Sequence, residues 1–74
     1  MRLRAVVARN LRRLRQAGGL TQEELADRAG INRNYVGMLE REENSATVDM
    51  LEKLAEVLGI DPVEFLASDD QKPS

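Results

Sequence analysis

Thr21–Arg41, TQEELADRAGINRNYVGMLER, is the stretch whose reading decides the fold. Thr21 and Glu24 form a T-x-x-E capping box: hydroxyl and carboxylate each satisfy a backbone amide that the first turn of a helix leaves unpaired. The spacing predicts a short helix over about Gln22–Ala29, with Leu25, Ala26 and Ala29 turned inward; the small alanines let another helix pack closely. Gly30 ends it, since Gly enters the left-handed conformation without a Cβ penalty. Asn32 is placed to cap a second short helix running to Arg41, with Ile31 stapling its start to the core. That helix buries Val36 and Leu39 and leaves Arg33, Asn34, Gly37, Met38 and Arg41 facing outward.

On the N-terminal side, Leu3, Val7, Leu11 and Leu14 recur three or four apart, which predicts a helix over about Leu3–Ala17 with one apolar stripe. Arg4, Arg9, Arg12, Arg13 and Arg15 take its other faces, and Gly18 and Gly19 end it. On the C-terminal side, Thr47 caps a helix to about Leu58, built on Val48, Leu51, Leu54, Ala55 and Leu58 and closed by Gly59. Asp61-Pro62-Val63-Glu64 then combines an N-cap, Pro at the first helical position and an early acid, predicting a fifth helix to about Ala67. Phe65 either completes the core or joins Val63 and Leu66 in a dimer contact. The tail SDDQKPS, residues 68–74, has the composition of a disordered end.

Composition narrows the chemistry. The chain has 74 residues and neither Cys nor His, so thiolate nucleophiles, disulfides, zinc-finger ligands and the usual general base are all missing. A single domain of this size buries only roughly 60% of the surface its unfolded chain exposes, so a dimer would help its stability. No apolar run approaches a membrane span, and no signal peptide is visible, so the chain reads as soluble and cytoplasmic. The net charge is −2, yet Met1–Leu20 holds six Arg and no acid, whereas Glu42–Asp70 holds nine acids and the single Lys53. A local basic face of this kind steers towards phosphate even when the total is negative.

Two helices joined by a three- to four-residue turn containing Gly have the helix-turn-helix geometry, whose second helix is presented to the major groove. Four pieces stand in order: V-x3-L-x2-LR ending at Arg15, GLTQEELADRAGI, the helix ending LER at Arg41, and TVDMLEKLAEVLGIDPVEFL. Over about Val7 to Leu66 they make the sequence resemble the lambda repressor-like family, the Cro and phage-repressor type of DNA-binding domain. The resemblance implies an all-α, compact five-helix domain over residues 1–67, with helices two and three forming the helix-turn-helix at 21–41.

It also implies roles. Gln22 would bond a DNA phosphate, helped by the anion affinity of a helix N-terminus, and Thr21, Asn32, Tyr35, Arg41 and Asn44 would also face the phosphates. Arg33, Asn34, Gly37 and Met38 match positions that meet base edges. Arg suits guanine O6 and N7, and Asn suits adenine N6 and N7. Met38 either touches a thymine methyl or packs locally, and Tyr35 either reaches a phosphate or lies against the core. Gly37 departs from the polar residue often found there and would permit close backbone approach. Arg15 and Glu40 match an internal salt-bridge pair. The acidic loop Glu42–Ala46 departs from the Gly, Lys or Arg often seen in relatives, and its charge should weaken affinity for phosphate.

The expected function is a sequence-specific regulator of transcription, bound as a homodimer to a two-fold double-stranded DNA operator and blocking or recruiting RNA polymerase. An alternative of another class is an antitoxin-like module whose main partner is a protein toxin. An enzyme is the remotest reading, because no base and nucleophile pair or metal cluster can be assembled; no cofactor and no membrane partner are expected.

Overall fold

The computed structural model describes residues 2–67. Helix α1 (Leu3–Ala17), α2 (Gln22–Ala29), α3 (Arg33–Glu40) and α4 (Val48–Leu58) follow in order, and a 3-10 helix (Pro62–Leu66) closes the described chain. The expected tail at 68–74 lies outside the described residues.

Local chemistry sets the boundaries. The Thr21 hydroxyl accepts from the Glu24 amide at 3.0 Å while the Glu24 carboxylate accepts from the Thr21 amide at 2.9 Å. Thr47 caps α4 through the Met50 amide, and Asn32 caps α3 through the Asn34 amide. At the far end of each α-helix the next turn closes by a paired six-to-one and five-to-two hydrogen bond, with one residue in the left-handed region. Gly19, Gly30 and Gly59 hold that place after α1, α2 and α4. After α3 it is Glu42, at φ 63°, with its amide donating to Leu39 O and that of Glu43 to Met38 O.

The core is Leu11, Leu25, Val36, Leu39, Leu54 and Phe65, with Ala26 and Ala55 completing it. Ala26 on α2 and Ala55 on α4 carry only a methyl group, which lets these helices approach. The expected stripe of α1 is turned slightly: Val6, Val7, Ala8 and Leu11 are buried, whereas Leu3 stands in solvent.

The expected fifth α-helix is a 3-10 helix. Its five residues give room for little beyond i to i+3 hydrogen bonds, seen from Glu64 N to Asp61 O and from Ala67 N to Glu64 O. Buried Asn10 donates to Phe65 O at 2.9 Å and to Ala67 O at 2.7 Å, which ties α1 to this element. Phe65 is 0% exposed and completes the core, so it is unavailable to a dimer contact, while Val63 and Leu66 remain exposed.

Candidate nucleic-acid interface

The angle between α2 and α3 is locked by one buried carboxylate. Glu40, in the last turn of α3, has a side chain only 1% exposed. Arg15 of α1 donates to its Oε2 at 2.7 Å and its Oε1 at 3.1 Å, and Gln22 of α2 donates to Oε1 at 3.0 Å. Arg15 also donates to Leu20 O at 2.8 Å, in the turn before α2, and Arg12 lies 3.5 Å from Glu40 Oε1. Burial by itself pushes Glu40 up, but the hydrogen bonds from Arg15 and Gln22 and the Arg15 charge outweigh it and hold the carboxyl below its ordinary range. Reciprocally, the bond to Glu40 raises Arg15. Three helices therefore meet at one charged, fully hydrogen-bonded point, which is how a buried ion becomes tolerable.

That lock leaves a polar concavity of about 230 Å³ between the first turn of α2 and the outer face of α3, lined by Gln22, Glu23, Arg33, Asn34, Gly37 and Arg41. Arg33 and Asn34 are exposed in the first turn of α3, where a helix entering a groove offers its side chains to bases. Asn32 is occupied as the N-cap and Thr21 as half of the capping box, yet both are exposed and their remaining polar capacity faces outward. Tyr35 is half-buried against the core, its hydroxyl donating to Ser45 O at 3.4 Å. Asn44 is half-buried in the loop and Met38 half-buried on α3.

Gly37 is not on an open face. It is buried beneath the side chains of Arg41 and Gln22, and a Cβ there would sit 3.0 Å from Arg41 Nη1 and 3.1 Å from Gln22 Oε1. The absent side chain is what lets the Arg41 guanidinium and the Gln22 amide close over the helix. Helical spacing places Gly37 on the side of α3 away from the core, but spacing does not reveal that neighbouring side chains fold across it and bury it.

The electrostatics differ from a simple basic end and acidic end. Arg2 pairs with Glu42 at 2.8 Å, and Arg4 donates to the Ser45 hydroxyl at 2.7 Å. Arg41 pairs with Glu43 at 2.8 Å, an exchange that raises Arg41 and holds Glu43 below the ordinary carboxylate range. Arg33 pairs with Glu23 across the turn between α2 and α3. The acidic loop thus compensates cations of this same chain as well as repelling phosphate. Helical spacing does not single out Asn10; its one local signal is an uncharged amide inside the apolar stripe of α1.

Comparison with known proteins agrees with this geometry. A family model described as helix-turn-helix matches residues 11–65. The chain is similar to the uncharacterized HTH-type transcriptional regulator y4dJ of Sinorhizobium fredii, 41% identical over 73 residues that cover 99% of this chain and 95% of the relative. It is also similar to the control protein C.SmaI of Serratia marcescens, 38% identical over 58 residues, 78% of this chain and 69% of that one. Among solved structures, the hypothetical transcription factor NHTF from Neisseria superposes with a TM-score of 0.90 at 37% identity, covering 95% of this chain and 80% of its own. The restriction-modification controller protein C.AhdI from Aeromonas hydrophila gives 0.80 at 40% identity, covering 84% and 94%. With its α2 and α3 fixed at a Gly hinge and a family match over most of its length, this chain belongs to the helix-turn-helix family.

Proposed function

We propose that the protein is a sequence-specific double-stranded DNA-binding regulator of transcription, with α3 lying in the major groove. The observation that carries this reading is the polar outer face of Arg33, Asn34 and Arg41, held at a fixed angle to the start of α2 by the Arg15–Glu40–Gln22 network. Arg33 and Asn34 read base edges, and Met38 touches a thymine methyl. Gly37 serves by keeping Arg41 and Gln22 close to the groove wall. Thr21, Gln22, Asn32, Arg41 and Asn44 set the module against phosphates, and Tyr35 joins them by turning its single O–H from Ser45 O to a phosphate oxygen.

The protein binds as a two-fold dimer. Support comes from apolar side chains left in solvent on one side of the fold: Leu3, Val48 and Leu66 border a groove of about 280 Å³, and Val63 is 68% exposed nearby in sequence. The similarity to named control proteins and transcriptional regulators supports regulation by operator occupancy.

Salt dependence of binding to duplex DNA tests the reading. A dimer that neutralises six to ten phosphates loses about 10³–10⁵ in affinity between 50 and 200 mM salt. A flat salt response, or no shift of any duplex, overturns it in favour of a protein partner.

A further inference from the structure

The pairing of Arg33 with Glu23 serves no evident structural purpose. The two side chains are 64% and 65% exposed, and an ion pair in such surroundings contributes little to stability. A carboxylate at the rim of a phosphate-binding face moreover costs affinity by repulsion. Yet Glu23 stands on the first turn of α2, opposite the first residue of α3, on the rim of the concavity shared with Asn34 and Arg41.

We propose that Glu23 is a positioning residue for base reading: it holds the Arg33 guanidinium in the orientation from which Arg33 meets guanine. It thereby sets specificity at a base pair it does not touch. A guanidinium has five N–H donors in a planar fork. Glu23 engages Nη2, and the remaining donors are enough for guanine O6 and N7. A held Arg side chain also has less rotamer freedom to lose on docking than a free one. When water is excluded by the approaching duplex, the pair strengthens as the local dielectric falls. Glu23 therefore exchanges a little overall affinity for discrimination.

This rests on the DNA-binding reading above, and the test separates the two. Sequences bound from random duplex DNA are selected with wild type, Glu23→Ala, Glu23→Gln, Arg33→Ala and the Glu23→Ala/Arg33→Ala double variant. Affinities for the selected site and its single-base variants follow, with helix content checked by circular dichroism. Glu23→Ala keeps or gains affinity for DNA in general but loses about tenfold of its preference at the base pair read by Arg33. Glu23→Gln, whose amide oxygen still accepts from Arg33, keeps part of that preference, and the double variant matches Arg33→Ala alone. A uniform gain in affinity with every preference unchanged overturns the proposal, as does a loss at that base pair that persists without Arg33. If wild type enriches no motif at all, the DNA-binding reading itself falls.

Discussion

Arg15 on α1 and Glu40 at the end of α3 form a two-point ion pair at 2.7 and 3.1 Å, across 25 residues of sequence. Gln22 at the start of α2 joins this contact as a third member, so it ties α1, α2 and α3 together. Removing Glu40 leaves Arg15 without its counter-charge, and removing Arg15 leaves buried Glu40 with only Gln22 and the longer 3.5 Å contact to Arg12. Glu40→Ala and Arg15→Ala are each expected to cost about 3–5 kcal/mol in urea unfolding, a large share of a small domain's stability. The double variant should cost clearly less than the sum, since the second substitution removes the orphan that the first created. Additive losses would contradict the role assigned to the pair.

Acid should undo the same lock. Glu40 is held below the ordinary glutamate value of 4.5, and so are Glu24, by the hydrogen bond from the Thr21 backbone, and Glu43, by Arg41. A carboxyl whose folded pKa is depressed contributes stability that is present above its unfolded pKa and lost as pH falls through the folded value. With no His in the chain, unfolding free energy should be nearly flat from about pH 6 to 8. It should drop as pH falls below about 4.5, and less steeply in Glu40→Gln. A transition centred near neutral pH would contradict this assignment.

Glu42 occupies the left-handed position that Gly fills after the other three α-helices. Such a backbone costs a residue with a Cβ about 1–2 kcal/mol, and the exposed Arg2–Glu42 pair returns only a fraction of that. Glu42→Gly is expected to raise stability by about 0.5–1 kcal/mol, read as a melting temperature higher by a few degrees. It should also strengthen binding to duplex DNA of any sequence, because it removes an acid next to α3. A lower melting temperature would show that the ion pair outweighs the strain.

Asn10 ties α1 to the end of the described chain through the carbonyls of Phe65 and Ala67. Asn10→Ala leaves one buried and one part-buried acceptor unpaired, for a loss of about 2 kcal/mol. Amide hydrogen exchange in residues 63–67 should accelerate beyond what the global loss explains, because the 3-10 helix loses its anchor. Uniform acceleration across the domain would mean that Asn10 supports only the core at large.

What the sequence made legible was chemistry between near neighbours. The Thr21–Glu24 box, the Thr47 cap and the glycines after helices mark α1, α2 and α4 as they are seen, and the Asn32 cap marks the start of α3, because each signal acts within a few residues. The helix-turn-helix followed from the Gly30 hinge. Relationships that arise only after helices pack were harder to read. Gly37 is covered by Arg41 and by Gln22 from another helix, Arg33 meets an acid ten residues earlier, and Asn10 reaches a turn 55 residues on. Phe65 lay open between core and dimer contact because a short terminal helix has too little periodicity to show which side faces inward. Its 3-10 form follows from its five-residue length, and its anchoring by Asn10 is a contact that no local pattern announces.

The central claim is that the outer face of α3 reads base edges while the start of α2 only positions it. Selection of bound sequences from random duplex DNA, with wild type, Arg33→Ala and Gln22→Ala side by side, tests it most directly. Wild type is expected to enrich a two-fold motif with half-sites about one helical turn apart. Arg33→Ala should relax one base pair in each half-site, and Gln22→Ala should keep the motif while weakening all sequences alike. No enriched motif, or identical profiles from the two variants, would contradict the account.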